Sequence, residues 1–497
     1  MSTTHSAPEP ISPNVREARA RLEEIFADCH DFTVKEWSYG PDLEYSACGF
    51  LLNTLSQNYR TTYTQALFQD LSPLKGALDA DLTPDKISRF FDSSGVSSHT
   101  VQILDSVDQV VRNLTDGHII ILIDGWDHAI SCEMPGVETR SVSEPTMEPV
   151  VFGPHNSTIE DLKTNIGLIR ALIKTPRLKF KLLNAGPNCR REIVYGYISD
   201  IVCPDDLNLF EKRLSSIEDK DILDTTYLEE WVEPSVYSPF PQVRYTERPD
   251  VVTSALLTGK IIMFVQGSPT VMICPGLFID FFSTSEDFYQ RTVFSTLIRW
   301  LRLIAFVMAI TLPSLYIALS TFHTELIPTV LLLAILDTRE KIPFPAFVEA
   351  LLMEFFFELL REAGIRLPRP IGSAVSIVGA LVIGQAAIQA KIASPIMVII
   401  VALTGIASFA MPQYNLAIAL RVLRFPLMIM AATLGGFGLM IAYFLLLLHL
   451  TKLKSLSQAY LTGFAPLDFR RMVNELLVRA PIRSMLRKSR QRPGGVR

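Results

Sequence analysis

Apolar residues change their spacing near residue 290 of this chain. Up to about residue 290 they come in short bursts at two periods. Val15–Ala27, Ile159–Ile173 and Asp205–Ser216 repeat them every three to four positions and are predicted helices, and Glu192–Ile201 is a predicted strand. One block recurs at an offset of 142 residues. Asp108-x-Val110…Leu114-x-x-Gly117 matches Asp250-x-Val252…Leu256-x-x-Gly259, followed by Ile119-Ile120 against Ile261-Ile262, Gly125 against Gly267 and Cys132 against Cys274. Each copy predicts a short helix, a glycine turn and two strands, His118–Asp124 with Asp127–Cys132 and Lys260–Gln266 with Thr270–Cys274. The expectation is two related α/β subdomains, carried by residues 105–132 and 247–274. Residues 14–91 are mixed and helix-leaning, and residues 1–15, rich in Ser, Thr and Pro, are expected to be disordered.

Beyond residue 290 the bursts give way to long uncharged runs. Four are long enough, or nearly so, to cross a hydrocarbon layer of about 30 Å as helices: 303–322, 371–390, 394–411 and 425–448. Ile371–Met411 contains one charge, Lys391, between two of these runs. Small residues crowd the first of them (Gly372, Ser373, Ala374, Ser376, Gly379), a pattern that lets a second helix approach closely. Gln385 and Gln389 lie one turn apart on its face. Leu326–Leu336 is too short to cross alone and is expected to pair with Phe344–Leu360 as a re-entrant or broken hairpin. The segment Phe344–Glu362 is apolar and aromatic, yet carries Glu354, Glu358 and Glu362 at a spacing of four, which sets three carboxylates on one helical stripe.

Charge divides the chain in three. Residues 1–290 hold 24 Lys and Arg against 42 Asp and Glu, and residues 451–497 hold 11 against two. The fold class expected is therefore an α/β soluble domain of two related subdomains, then an all-α polytopic membrane domain and a short basic tail. Its divisions are 1–104, a variable, partly disordered and helix-leaning region; 105–290, the cytoplasmic α/β domain; 291–450, the transmembrane domain; and 451–497, the basic cytoplasmic tail. The amino terminus has no apolar secretory core, and Arg299, Arg302, Lys452 and Lys454 flank the outer spans, so both ends are expected in the cytoplasm. That requires an even number of crossings and leaves Arg361, Arg366, Arg369, Arg421 and Arg424 in loops on the far side; five spans would reverse both placements.

No phosphate-binding loop, strand–GxGxxG–helix, HExxH, GxSxG or clustered Cys/His set occurs, so no catalysis, cofactor, metal or nucleic acid is expected. The six cysteines lack metal-like spacing and are read as free thiols. Asp124, Asp127 and His128 crowd a turn and are read as a solvated hairpin.

Several longer motifs resemble those of the GerA family of spore germination proteins, the A subunit of nutrient germinant receptors. They are Tyr237-Ser-Pro-Phe-Pro-Gln-x-Arg-x-Thr-Glu-Arg-Pro-Asp250, His323-x-Glu-Leu-Ile-Pro328, Pro343-Phe-Pro-Ala-x-Val-Glu-Ala-Leu-Leu-Met-Glu354 and Leu360-Arg-Glu-Ala-Gly-Ile-Arg-Leu-Pro368. Ser376-Ile-Val-Gly-Ala-Leu-Val-Ile-Gly-Gln385 and Leu423-Arg-Phe-Pro426 continue the resemblance, which covers roughly residues 105–465. It implies a multi-pass protein of the inner membrane of a bacterial endospore, partnered by a transporter-like B subunit and a lipoprotein C subunit. It also implies a ring-shaped homo-oligomer in the lipid bilayer that works as a ligand-gated ion channel. Two stretches depart from the pattern: Gly153-Pro-His-Asn-Ser-Thr158 stands where the family has a Gly-Pro-Arg-Glu-Gly-Phe-like turn, and Asn184–Arg191 where it has a Gly-Arg-Arg-Thr-like one.

On this reading the candidate ion-pathway residues are Glu354, Glu358, Glu362, Gln385 and Gln389, since rings of carboxylates concentrate cations. A solvated face for the glutamates and interhelical hydrogen bonds for the glutamines are the alternatives. A secondary-transporter subunit and a non-conducting membrane scaffold are the competing functions. Transporters usually repeat their membrane halves, and here the repeat lies in the soluble part.

Overall fold

The computed structural model describes residues 9–39, 45–55, 101–133, 145, 148–368, 379 and 382–462. The chain divides into two compact units, Met1–Val150 with Pro154–Val232 and Tyr245–Pro275, and Val151–Gly153 with Glu233–Arg244 and Gly276–Arg497.

The first unit holds two five-stranded sheets. In one, β1 (Phe32–Tyr39), β2 (Tyr45–Leu52), β3 (Val101–Leu104), β4 (Ile119–Ile123) and β5 (Ala129–Cys132) lie in the order β1-β2-β4-β5-β3. In the other, β6 (Leu178–Ala185), β7 (Arg191–Ile198), β8 (Arg244–Thr246), β9 (Ile261–Val265) and β10 (Val271–Cys274) lie in the order β6-β7-β9-β10-β8. The two orders are the same, first-second-fourth-fifth-third. In both, a helix precedes the fourth strand: α2 (Val107–Thr115), following α1 (Val15–Ile25), and α5 (Pro249–Leu257), following α3 (Leu162–Leu172) and α4 (Pro204–Leu214). Every residue of β4 and β9 is buried, as expected of strands covered on both faces. Gly117 and Gly259 end their helices at φ 91° and 88°, in the left-handed region that favours glycine.

The helix at Leu162–Leu172 falls within its predicted span, while the helix at Pro204–Leu214 and the strand at Arg191–Ile198 each begin one residue before theirs. The division at residues 104 and 105 does not follow the sheet. β2 pairs with β4 from Ala47↔Ile123 to Phe50↔Ile120, and β3 pairs with β5, so strands from before residue 105 complete the first sheet. Residues 56–100 and the first eight residues lie outside the described residues. Of the stretch 1–15 expected to be disordered, residues 9–15 are instead held in place: Pro10 bridges Ser106, the Glu9 carbonyl accepts from the Val107 amide, and Ile11 and Val15 are buried.

A fully buried ion pair joins the two sheet systems. Arg170 on α3 donates to both oxygens of Asp31, at 2.8 Å and 2.7 Å, and to the Leu178 carbonyl at 2.9 Å. Thr54 adds a hydroxyl donor to Asp31, and the guanidinium stands 5.1 Å from the Phe180 ring centroid. Such a pair is stable only when its remaining hydrogen-bonding capacity is met, as it largely is here.

The second unit is helical: α6 (Thr292–Thr321), α7 (Thr329–Arg339), α8 (Ala346–Arg366), α9 (382–389), α10 (Pro395–Phe409) and α11 (Tyr414–Lys452). Two of them, α6 and α11, are long and apolar enough to cross a membrane, and α10 is apolar but shorter. The expected span 371–390 lies mostly outside the described residues; its end is α9. Leu326–Leu336 overlaps α7 and Phe344–Leu360 overlaps α8, which start three and two residues into those runs.

At the carboxyl-terminal end of α11 the chain folds back in a small hairpin, Lys454–Ser455 with Gln458–Ala459. Ser455 Oγ donates to the Gln242 carbonyl at 2.6 Å, and Ser238 Oγ lies 2.8 Å from His449 Nε2. Phe240 is buried against Tyr460. Ser238, Phe240 and Gln242 of the motif that starts at Tyr237 thus meet the end of α11 and the start of the basic tail, whose remainder, 463–497, lies outside the described residues.

Candidate functional site: a carboxylate and arginine ladder

The acidic residues of α8 meet arginines. Glu354 is fully buried, and its Oε2 accepts from Arg424 Nη1 at 2.6 Å, with both side chains 1% exposed. One turn on, Glu358 accepts from Arg361 on the same helix, and Arg421 Nη1 stands 3.7 Å from the same oxygen. One turn further, Glu362 is paired with Arg366 at 2.7 Å, both side chains more than half exposed. At the other end of α8, Glu349 is buried; its Oε1 accepts from the amide and hydroxyl of Ser394, and Arg339 approaches its Oε2 at 3.8 Å.

The sequence allows this geometry for definite reasons. Spacing four brings Glu354, Glu358 and Glu362 onto one stripe, and Arg421 and Arg424, three apart on α11, face the first two rungs. Alanines and glycines let the helices close. A side-chain carbon at Gly405 of α10 would stand well inside contact distance of the Phe357 ring of α8, and one at Gly379 would stand 2.6 Å from Leu360 Cδ2. Ser394 both caps α10, accepting from the Met397 amide, and donates to Glu349.

Arg421 and Arg424 do not lie in an external loop. They sit in the first turns of the 39-residue helix α11, 6% and 1% exposed. Read along the chain, two arginines beside a proline resemble a loop flank; their partners stand about 70 residues earlier, and only the fold brings them together. Arg361 and Arg366 are likewise helical, on α8. The stripe is therefore charge-compensated within one chain. Gln385 and Gln389 are on α9 and exposed.

The ladder retains spare hydrogen-bonding capacity. Among the described residues nothing hydrogen-bonds Oε1 of Glu354, Oε1 of Glu358, Oε2 of Glu349 or Nη2 of Arg424. Charges this deep in an apolar helical packing are costly, and in membrane proteins they usually line water-filled paths or pair with one another.

A second irregularity lies in α11. Gly435 takes φ 60° and ψ −139°, which interrupts the helix in the middle of an apolar run. The amide of Gly436 donates to Nε2 of His323 at 3.1 Å, so a side chain from just past α6 meets a donor at the break.

In the sheet unit, Asp127 and His128 pair at 2.6 Å at an exposed turn, and the hydrogen bond from His128 holds the Asp127 carboxyl below the usual range. Asp124 accepts instead from the Val15 amide at 3.3 Å. Among the described residues no group of His, Cys, Asp and Glu is placed to hold a metal ion.

A family model described as Bacillus/Clostridium GerA spore germination protein matches residues 20–491. The chain is 39% identical over 483 residues to an uncharacterized membrane protein of Bacillus subtilis (strain 168), YfkQ, across 96% of this chain and 91% of that one. It is 38% identical over 471 residues to spore germination protein KA of the same organism, across 95% and 85%. With spore germination protein GerLA of Bacillus cereus the identity is 34% over 479 residues, across 96% and 95%. A crystal structure of the N-terminal domain of the A subunit of the Bacillus megaterium spore germinant receptor GerK3 aligns with a TM-score of 0.43 and 22% identity, over 55% of this chain and 99% of that one.

Proposed function

Because this chain belongs to the Bacillus/Clostridium GerA family of spore germination proteins, we propose that it is a membrane subunit of a nutrient germinant receptor. In this reading several copies assemble around a shared axis into a ligand-gated channel that releases cations at the start of germination. Residues 291–450 form the polytopic membrane domain in the inner membrane of the endospore. The sheet-bearing part and the basic tail face the spore core. A transporter-like B subunit and a lipoprotein C subunit complete the receptor.

The observation that carries the proposal is the ladder on α8. A helix packing apolar enough to sit in lipid keeps buried carboxylates at Glu349 and Glu354 and a half-buried one at Glu358, each with an oxygen free for an ion or water. Burying such groups costs stability, and in a membrane segment their presence points to a function. The ladder's charge repeats once per copy around a ring, so its field is multiplied by the assembly. Glu354, Glu358 and Glu362 remain the proposed ion-pathway residues, now with Arg424, Arg421, Arg361 and Arg366 as their counter-charges. Gln385 and Gln389, exposed on α9, are proposed to face the path or a neighbouring copy.

The test is reconstitution of the chain with its cognate B and C subunits in vesicles, with ion flux recorded before and after nutrient. Conductive flux that appears on nutrient addition supports a channel. The break at Gly435 favours one alternative, because discontinuous helices are a hallmark of secondary transporters. Exchange of labelled substrate without conductance would establish that reading instead, and neither flux nor exchange would leave a scaffold.

A further inference from the structure

We propose that the loop Val151–Gly153, with Phe288, Tyr289 and the first turns of α6, forms a membrane-surface anchor that lies in the headgroup layer of the bilayer beside the first span. The proposal rests on the membrane reading above and adds a lipid contact that the spans do not account for.

The length of α6 is the starting point. Thirty residues extend about 45 Å, against a hydrocarbon layer of about 30 Å. The uncharged run begins at Leu303, so the residues from Thr292 to Arg302 stand at or beyond the edge of the hydrocarbon. Their outward face is nevertheless apolar: Val293 is 84% exposed, Leu297 66% and Trp300 46%. These positions continue at Ile304 and Val307 with spacings of four and three, one unbroken stripe running into the span.

The charges at this height point the other way. Arg299 and Arg302 are buried and turn onto Asp287, at 3.3 Å and 2.8 Å. Arg302 also donates to the Phe282 carbonyl and to Thr284 Oγ1. A helix turn bathed in water has no need to hide two guanidinium groups and display valine, leucine and tryptophan. A turn at the boundary of headgroups and acyl chains does. Arg291, one residue before α6, stays exposed, where it can meet lipid phosphates.

The loop is held by Glu286 and Tyr289, which flank the Asp287 that Arg302 reaches, and so stands at the same height along α6. The Val151 amide donates to Glu286 Oε1 at 2.7 Å, and Gly153, at φ 117°, lies so close to the Tyr289 ring that a side-chain carbon would stand 2.7 Å from it. Thus held beside Tyr289, Val151 and Phe152 are 76% and 59% exposed, and Phe288 and Tyr289 are exposed as well. Rings with an apolar body and a polarisable edge are the side chains that collect at membrane–water boundaries. The loop shares the height of an apolar stripe of α6 that runs unbroken into the span, which selects lipid as the occupant over a second copy of the chain. The departure from the family pattern that starts at Gly153 begins where this anchor ends.

An environment-sensitive fluorescent amino acid placed at residue 152 of the full chain tests this. A site at Leu445 on the exposed face of α11 serves as the membrane reference and one at Lys220 as the water reference. The protein is reconstituted in phosphatidylcholine–phosphatidylglycerol vesicles with or without brominated acyl chains. The expected result is blue-shifted emission at 152 that loses intensity in the brominated vesicles, less than at 445 and more than at 220. Emission at 152 like that at 220, with 445 quenched, overturns the anchor and leaves the membrane reading intact. Blue-shifted emission at 152 without bromine quenching also overturns it and assigns the surface to a second copy. Loss of quenching at 445 as well defeats the membrane reading itself, and the anchor with it.

Discussion

Arg424 fills the hydrogen-bonding gap that Pro313 opens in the neighbouring helix. A proline has no amide hydrogen, so Pro313 leaves the carbonyl of Ala309, four residues earlier in α6, without its helical donor. Arg424 Nε donates to that carbonyl at 3.1 Å while Nη1 holds Glu354 at 2.6 Å. One side chain of α11 therefore ties α6 to α8 and satisfies both a backbone acceptor and a buried carboxylate.

Arg424→Met should be among the most damaging single substitutions in the helical unit. It leaves Glu354 buried without a counter-charge and Ala309 without a donor, a combination expected to cost about 3–5 kcal/mol. Adding Glu354→Gln to it should recover part of the loss, because the uncompensated charge is gone. Thermal unfolding of the detergent-solubilised protein, or its level in the membrane, measures both. If the double variant is no better than Arg424→Met alone, the ion pair is not the source of the stability.

His118 makes the first sheet sensitive to acid. Its Nδ1 stands 3.0 Å from Ser131 Oγ, and burial pushes its pKa below the ordinary 6.5, against the upward pull of Glu133 and Asp116. The folded chain therefore prefers the neutral ring more strongly than the unfolded chain does. That contribution is complete above the unfolded value, declines as pH falls through it, and levels off once the folded value is passed. Hydrogen exchange of peptides spanning 119–132, corrected for intrinsic rates, should show β4 and β5 losing protection between about pH 7.5 and pH 5. In His118→Gln the decline should flatten.

How far the sequence revealed these features differs between the two units. The blocks 105–132 and 247–274 were legible because Ile119–Ile123 and Ile261–Val265 are continuous apolar strands bounded by glycines. Their partners were harder to see. β1 reads Phe-Thr-Val-Lys-Glu-Trp-Ser-Tyr, with no burst to mark it, and gains its place by pairing with β2 along its whole length. The carboxylate stripe was legible from spacing alone, while its arginine partners were not. Charge flanking an apolar run signals a membrane boundary, and Arg421 and Arg424 imitate that signal while their stabilisation comes from helices far away in sequence. Gln385 and Gln389 showed their shared face but not which way it points.

Gly435→Ala should loosen the second half of α11. At φ 60° and ψ −139° only glycine is comfortable, and a side-chain carbon there would meet Phe322 at 2.9 Å. The strain is of the order of 1–3 kcal/mol. Gly384→Ala is the control, since its new carbon would meet only Val398 Cγ1 at an ordinary 3.5 Å. A lower unfolding temperature for the first and no change for the second is the expected outcome. Equal behaviour of the two would mean that the break relaxes into helix without cost.

The ladder also makes a signed prediction about ion passage. Glu358 is only partly buried, 23% exposed, and shares its carboxylate between Arg361 and Arg421. Glu358→Gln removes one negative charge per copy and leaves both arginines, so the local potential becomes more positive all round the ring. Arg421→Gln does the reverse. In reconstituted receptor triggered by nutrient, Glu358→Gln should lower cation flux or move the reversal potential toward anions, and Arg421→Gln should move it the opposite way. Glu362→Gln is the internal control. Its pair with Arg366 is exposed, worth little to stability and screened by salt, so flux should stay near the parent value. Opposite shifts from two substitutions that touch one oxygen are hard to obtain from a folding defect, which would lower both. Assembled Glu358→Gln and Arg421→Gln receptors that both conduct like the parent would remove the ladder from the ion path.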